Sequence, residues 1–449
     1  MKLQNNERTQ NSVRFLINAV EILVLSFVFW LIWFKYYRTY VYYFMRGNIL
    51  VVGIYAALLI IFNSVYEGFQ IGYKKTGDLI FSQIISLIFS NLIIFLQVTL
   101  TRKHLLPLSE FFLYLLIEVG ITVFLNIFIN KLYYHLFPPR RTWLIYEEDN
   151  PDILLSIQRY QANAYRIEKS STFAEAEKEL ETLPQYECVI ASGLRPENKE
   201  KLVGDCYAAG RSVYIIPDLY DVILNSARNV YLVDTPVLRA GRFGPSQLEK
   251  IIKRLWDIIF AVFFLVLTSP IMLVTAIAIK SEDGGPVFYR QRRLTQYGRP
   301  FEIIKFRSMK IDAEKDGVAR LAAEHDDRIT KVGKKIRATR IDELPQLINI
   351  LKGDMSVVGP RPERPEIMDQ ILKDLPEFQY RLKAKAGLTG YAQVYGKYNT
   401  KLRDKLLFDV TYIENFSILL DIRIMFMTFK IIFKKDSTEG VSEGETVRE

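Results

Sequence analysis

Five stretches of this chain are too long and too apolar to be ordinary elements of a soluble domain, and they restrict its fold more than any other feature. Four fall in the first 130 residues: Phe15–Phe34, interrupted by Glu21, then Ile49–Tyr66, Leu79–Val98 and Phe111–Ile129. Each can cross a hydrocarbon core of about 30 Å as a helix. Trp30, Trp33, Tyr36, Tyr37, Tyr133 and Tyr134 gather near run ends, as in an interfacial belt. The competing arrangement, four buried helices of a soluble domain, is disfavoured by so many runs in so short a segment. Aromatics and Lys35, not a small-residue cleavage site, follow the first run, so it reads as a retained anchor. Residues 1–139 are therefore expected to form a four-helix transmembrane bundle. Its even number of spans puts both flanks on one side, while the loop cations do not fix which. Glu21 and Glu118 lie inside spans, where an acid is either functional or a partner for a neighbouring helix. No role is assigned to either.

The fifth run, Ile258–Ile279, carries no charge and has Thr268-Ser269-Pro270 at its midpoint. Proline removes a helix hydrogen bond, and Ser or Thr can re-satisfy the freed carbonyl. Each half is about 15 Å long, half a hydrocarbon core. Either the run spans, or it enters, turns at Ser269-Pro270 and leaves by the same face. The central break and the basic residues on both flanks favour the second, a re-entrant helix over 255–280.

Between these apolar regions, residues 140–240 alternate short strands (Thr142–Tyr146, Glu187–Ser192, Arg211–Pro217) with helical stretches (Pro151–Gln161 capped by Asn150, Phe173–Leu183, Pro196–Ala209). This pattern predicts a Rossmann-like α/β domain. The glycine-rich phosphate loop is missing: after the first strand the chain reads Glu147-Glu148-Asp149-Asn150. A spacer, docking or regulatory module fits this better than a nucleotide binder, though both stay open. Cys188 and Cys206 lack metal-ligand spacing and read as free thiols, and three scattered histidines argue against a His/Cys metal site or a His-based triad.

The formal charge of +9 points to an anionic partner. Most of it comes from residues 286–340, with 15 Lys/Arg against 7 Asp/Glu. Within them, GPVFYRQRRLTQYGRPFEIIKFRSM alternates like a hairpin turned at Tyr297-Gly298. Lys305 and Arg307 sit on its second strand among apolar neighbours, where a buried cation needs a partner. Then comes KKIRATRIDELPQLINILKGDMSVVGPRPERPE, from Lys334. Leu344, Leu347, Ile348 and Leu351 mark one helix face, with Gly353 as its stop. Asp342 and Glu343 stand at the helix's positive end, where phosphate can bind. Arginines bracket them: Arg337 and Arg340 before, Arg361 and Arg364 after. Asp342 is a credible N-cap and equally a candidate for phosphoryl chemistry. Further on, Gly359-Pro360-Arg361-Pro362 is a rigid turn presenting one arginine. Thr411–Phe433 reads as an amphipathic helix on a membrane surface, and 434–449 as a disordered tail.

Three long segments, the hairpin, HDDRITKVGKKIRATRIDELPQLINILKGDMSVVGPRPE and GLTGYAQVYGK, together resemble the bacterial sugar transferase family, from Arg254 to about Phe433. These are polyprenyl-phosphate hexose-1-phosphate transferases, or monotopic phosphoglycosyl transferases. The four N-terminal spans and the degenerate nucleotide fold look like its large, capsule-initiating members. The resemblance implies a membrane protein of mixed class, with a catalytic α/β domain over 241–433 and a re-entrant helix. It implies transfer of a hexose-1-phosphate, glucose before galactose, from a UDP-sugar to undecaprenyl phosphate, with release of UMP. It also implies a covalent intermediate on Asp342, magnesium on Glu343, and phosphate contacts from Arg337, Arg361 and Lys305. Arg307 and Lys397 join that phosphate-binding set as candidates. The break at Ser269 and Pro270 matches the family's re-entrant helix. Lys397 stands where members often carry arginine, keeping the charge but not the planar fork. The implied setting is the bacterial plasma membrane, multi-pass, with the catalytic domain at the cytoplasmic face. Membrane lipids are expected partners, self-association is open, and nucleic acid is not expected. The alternative is a non-catalytic scaffold for polysaccharide assembly.

Overall fold

The computed structural model describes residues 7–147, 154, 157–158, 161–241, 245–311, 328–396 and 400–432. The chain divides into two compact units, one ending at Ile216 and the other beginning at Pro217. Most of the predicted helix Pro151–Gln161 with its Asn150 cap, Lys397, Phe433 and the tail from Lys434 lie outside the described residues.

The first unit opens with four long helices, α1 (Glu7–Ile32), α2 (Met45–Val65), α3 (Thr76–Arg102) and α4 (Leu108–Leu136). α3 and α4 contain their predicted runs, α1 ends two residues before Phe34 and α2 one before Tyr66, and each is long and apolar enough to cross a membrane. Their polarity is inverted relative to a soluble bundle. Phe15, Leu23, Leu100 and Phe124 face outward at 68–77% exposure, while Glu21, Gln83, Ser86, Asn91, Glu118 and Asn126 are buried. Apolar surface on that scale fits lipid, not water. Inside, Leu25, Phe29, Trp33, Tyr55 and Leu59 form the apolar core, with Trp33 Nε1 donating to Asn48 Oδ1 at 2.8 Å. Glu21 accepts from Gln83 and Asn126, and Glu118 from Asn91, so both acids join helices.

The same unit ends in a four-stranded parallel sheet of β1 (Arg140–Tyr146), β2 (Tyr165–Thr172), β3 (Cys188–Ser192) and β4 (Ser212–Ile215), ordered β2-β1-β3-β4. Helices α5 (Phe173–Glu177) and α6 (Pro196–Ala208) connect strands. All of β3 is buried, as a central parallel strand should be. The predicted helix Phe173–Leu183 is only α5, followed by a 3₁₀ turn over Leu180–Gln185. Strand β2 was not anticipated, because YRIEKSST alternates charged residues at a sheet edge and reads as a polar loop. Glu147, at the end of β1, turns to the N-terminus of α6, the helix after β3. Its carboxylate accepts from Arg195 N at 3.2 Å and from Asn198 Nδ2 at 2.9 Å, at the start of α6. Cys188 and Cys206 are buried free thiols.

The second unit begins with α7 (Leu219–Asn225), whose Asp218/Asp221 capping box the sequence reading overlooked, and a hairpin of β5 (Arg228–Leu232) and β6 (Thr235–Arg239). The fifth apolar run lies in α8 (Gln247–Asp283), which starts earlier than predicted, at a Ser246/Glu249 capping box. The helix is not broken at Ser269-Pro270; its helical backbone continues through the proline. Pro270 denies Val266 O its usual amide donor, and Ser269 Oγ supplies one at 2.8 Å, while Thr268 Oγ1 donates to Phe264 O at 2.7 Å. Both ends of α8 dock on one α/β body, leaving Val266, Leu267, Leu273 and Val274 exposed between them. Near its start, Arg254 donates to Ile350 O and Leu351 O, and Asp257 accepts from Ser356 Oγ and Val357 N. Near its end, Ile279 packs with Phe306 and Ile336, and Glu282 accepts from Lys331 N at 2.8 Å.

That body comprises the antiparallel hairpin β7 (Phe288–Leu294) and β8 (Pro300–Phe306), then α9 (Lys331–Ala338), α10 (Gln346–Lys352), β9 (Ser356–Val358), α11 (Pro365–Asp374) and β10 (Gly387–Thr389). The short α12 (Tyr391–Tyr395), then α13 (Leu402–Glu414) and α14 (Ile418–Ile432), complete it. The hairpin turns as predicted, with Tyr297 and Gly298 at positive φ. The single surface helix expected over Thr411–Phe433 is instead the end of α13 and α14, broken at Asn415–Ser417. Tyr412, Ile413, Phe416 and Ile424 are buried in the core with Leu347, Ile350, Val357 and Ala386.

Candidate active site

The dyad is placed by a strained link between two well-anchored helices. Thr330 Oγ1 accepts from Gly333 N at 2.9 Å to cap α9, and Ile336 anchors that helix in the core. A Cβ at Gly333 would lie 2.0 Å from Ser308 O, so only glycine lets α9 approach the chain just after β8 this closely. Arg340 then adopts left-handed φ of 54°, costly for a side chain of its size. The chain drops into one 3₁₀ turn, Ile341–Glu343, before α10 begins at Gln346. Asp342 therefore does not cap α10: that position is Pro345, without a side-chain bond. Among the described residues the Asp342 carboxylate has no hydrogen-bond partner. The capping reading falls away, and the carboxylate is left available.

Glu343 is the opposite case. Its carboxylate lies 3.2 Å from an Arg361 nitrogen, 3.5 Å from Lys305 Nζ and 3.8 Å from Arg340. Asn349 holds the two sides of this arrangement together, its Oδ1 accepting from Ile304 N at 2.9 Å and its Nδ2 donating to Glu302 O at 2.7 Å. The turn carrying Arg361 crosses the backbone before β10 so closely that a Cβ at Gly359 would lie 2.2 Å from Lys385 O. Buried Arg381, paired with Asp409 at 2.8 Å and Glu363 at 3.2 Å, donates to Arg361 O at 3.0 Å and fixes that turn.

These surroundings drive two adjacent carboxyls apart. Burial, reinforced by the neighbouring Glu343 charge, pushes Asp342 up to about 6 against the pull of Lys305, Arg337 and Arg361. Burial pushes Glu343 up as well, but Arg361, Lys305 and Arg340 outweigh it and hold it well below the usual carboxylate range. Lys305 is itself drawn down by burial, and Arg361 is held up by Glu343. Neighbouring groups with opposed environments are the mark of divided chemical roles.

Of the residues singled out in the sequence, Asp342, Glu343, Lys305 and Arg361 come together, with Arg337 near enough to act on Asp342. Arg307 does not join them. It is buried, its guanidinium forks onto Asp283, and its Nε donates to Pro286 O at 2.7 Å. It closes the end of α8, which is why an arginine stands in that apolar strand. Ser269 and Pro270 lie in the exposed middle of α8. Two residues of the site were missed. Arg381 carried no sequence signal, since its partners come from distant segments. Arg293 was legible: Tyr289 pairs with Lys305 across the hairpin, so Tyr289, Gln291 and Arg293 share the face of Lys305. Arg293 donates to Gln291 Oε1 at 2.7 Å and to Pro362 O at 3.1 Å, and burial draws it down to about 10. The site thus gathers more cations than carboxylates and is built to receive an anion.

No group of three or more His, Cys, Asp or Glu residues gathers among the described residues. The ionised Glu343 beside Asp342 still offers the hard oxygen ligands that magnesium prefers. A magnesium ion typically takes one or two carboxylates and completes its shell with substrate phosphate and water. The donor set fits such an ion.

The bacterial sugar transferase family model matches residues 248–435. A UDP-glucose:undecaprenyl-phosphate glucose-1-phosphate transferase from Caulobacter vibrioides is 39% identical over 205 residues, covering 44% of this chain and 76% of that protein. A UDP-N-acetylgalactosamine-undecaprenyl-phosphate N-acetylgalactosaminephosphotransferase from Aeromonas hydrophila is 40% identical over 255 residues, 55% of this chain and 59% of that one. An undecaprenyl-phosphate galactose phosphotransferase from Salmonella typhimurium is 34% identical over 242 residues, 50% of each. The chain thus spans about half the length of several of the curated relatives it matches.

Proposed function

The chain belongs to the bacterial sugar transferase family, and we propose that it transfers a hexose-1-phosphate, glucose-1-phosphate first among the candidates, from a UDP-sugar to undecaprenyl phosphate. The relatives' names span glucose, galactose and N-acetylgalactosamine, so the donor is the part of this reading to be tested first. The observation that carries it is the contrast within the dyad: Glu343 is engaged by three cations while Asp342 has no hydrogen-bond partner among the described residues.

An Asp342 oxygen attacks the sugar-side phosphorus of the donor diphosphate. The bond to the bridging oxygen breaks, UMP departs with that electron pair, and a phosphosugar remains on Asp342. An oxygen of undecaprenyl phosphate then attacks the same phosphorus and frees the carboxylate, giving the undecaprenyl diphosphate sugar. A raised proton affinity makes Asp342 a better nucleophile once ionised, partly offsetting the weakness of carboxylates in this role. Lys305, Arg337 and Arg361 spread positive charge over the phosphoryl group in transfer, and Arg293 extends that surface along β7. Magnesium at Glu343 would neutralise diphosphate charge and ease the departure of UMP.

The exposed apolar middle of α8, between two ends anchored on one body, supports a re-entrant membrane element that holds the dyad at headgroup height. A soluble donor then arrives from the cytoplasmic side and meets a lipid phosphate without crossing the bilayer. The experiment is UMP release by full-length protein in nanodiscs, with magnesium, undecaprenyl phosphate and a panel of UDP-hexoses, followed by mass analysis of the lipid product. Release with one donor and the matching product is expected. No release with any donor would leave a scaffold role and overturn the reading.

A further inference from the structure

The four-helix bundle contains a chamber that its own side chains do not satisfy. Glu21 of α1 is 2% exposed and meets Gln83 of α3 and Asn126 of α4, both also buried. Its two oxygens accept from Gln83 Nε2 at 3.0 Å and from Asn126 Nδ2 at 3.1 Å. Asn126 Nδ2 also donates to Gln83 Oε1 at 2.5 Å, and Gln83 Nε2 to Gly68 O at 3.0 Å. Asn63 of α2 reaches the same place: a Cβ at Gly68 would lie 2.3 Å from Asn63 Oδ1 and 3.1 Å from Gln83 Cγ. Polar groups of all four helices therefore lie in one neighbourhood, Asn63 by way of Gly68 and Gln83.

The unmet groups there share one chemistry. Asn63 Oδ1, Asn126 Oδ1 and Thr122 Oγ1 are buried with no hydrogen-bond partner, on residues 0–3% exposed. The amide nitrogens of Gln83 and Asn126 are spent on Glu21, Gln83, Gly68 and Thr122 O, so what their oxygens lack is positive. No Lys or Arg pairs with Glu21 among the described residues. The nearest basic side chain on α1, Arg14, is engaged by Gln10 Oε1 and Tyr133 OH. A buried carboxylate without a counter-charge is costly in hydrocarbon. Glu118, the other buried acid of the four helices, is about 12 Å along α4 from Asn126 and binds Asn91, so it does not share the charge.

We propose that this chamber binds one small monovalent cation of sodium type, held by the Glu21 carboxylate, the amide oxygens of Asn63 and Asn126 and the Gly68 carbonyl. Oxygen ligands of this hardness select hard cations over soft ones. The single carboxylate decides the valence: one positive charge leaves the chamber neutral, whereas a divalent ion would leave a net charge buried in the bundle. The occupied chamber ties α1, α2, α3 and α4 together through one ion, so the bundle's stability follows the ion's concentration.

The test uses full-length protein in nanodiscs at pH 8 and constant ionic strength, in sodium chloride or choline chloride. Two readouts are taken: the thermal unfolding midpoint and saturable binding of radioactive sodium. Wild-type protein is expected to bind one sodium per chain and to melt several degrees higher in sodium than in choline. Glu21→Gln is expected to lose both effects and Glu118→Gln to keep both. Equal midpoints in the two salts, with no saturable sodium in the wild type, would overturn the proposal. A midpoint that follows pH alone, without sodium binding, would also overturn it, since a proton would then be the missing charge. Should Glu21→Gln fail to fold, the wild-type binding isotherm decides by itself.

Discussion

Replacing Asp342 by Asn separates what the site does from what it costs the fold. Activity should fall by about 10⁴-fold or more, because the proposed nucleophile is lost while charge stabilisation remains. Stability should move the other way. The folded protein holds the Asp342 proton more tightly than the unfolded chain does, with a value near 6 against a reference of 3.8. A carboxyl raised on folding contributes stability while protonated, fully below pH 4, and loses it as pH rises through 6. Above that, the ionised group strains the fold beside Glu343. A gap of about two pH units corresponds to roughly 3 kcal/mol at most. Partial exposure and coupling to Glu343 reduce this to about 1–2 kcal/mol. Asp342→Asn should therefore melt higher than wild type at pH 8 and converge with it near pH 4. The assay is UMP release alongside thermal unfolding of both proteins from pH 4 to pH 8. Wild-type turnover in the variant, or a lower midpoint at pH 8, would refute the nucleophile and the electrostatic account respectively.

Three more expectations follow from the same geometry. The kcat/KM for the UDP-sugar should rise with pH on an acid limb near 6, because Asp342, as the proposed nucleophile, must be ionised; a flat profile between pH 5 and 7 would contradict that role. Glu343→Gln should cost about 10³-fold in turnover and weaken the magnesium requirement, seen as a lost response in a magnesium titration, because Arg361, Lys305 and Arg340 lose their shared partner. Arg307→Met should lower the thermal midpoint by removing the fork onto Asp283 and the bond to Pro286 O, yet leave the KM for the donor unchanged in the folded fraction; a raised KM at wild-type stability would return Arg307 to the substrate site.

The apolar runs and the dyad were legible because each depends on local pattern: twenty-residue hydrophobicity, a helix stop at Gly353, a hairpin turn at Tyr297-Gly298. What escaped depends on tertiary pairing. Arg307 reads as a phosphate ligand until Asp283, 24 residues away, is seen to take it. Asp342 reads as a cap because carboxylates favour that position, and only the left-handed Arg340 and the 3₁₀ turn move it off the helix axis. Strand β2 is hidden by its charged edge, and Arg381 works through Asp409 and Arg361, residues that no spacing rule connects. Ser269-Pro270 shows the limit of composition in another way. The proline was visible, but Ser269 Oγ repairs the missing bond and keeps the helix continuous.

Helix α8 bears on the reaction centre in a manner that its sequence alone does not suggest. Arg254 closes the last carbonyls of α10, and Glu282 binds the first amides of α9, the two helices on either side of Asp342 and Glu343. The exposed apolar segment and the turn that carries the dyad are consequently linked. A displacement that tips α8 would pull on both supports of the dyad at once, so the long helix and the turn that carries Asp342 and Glu343 would move together.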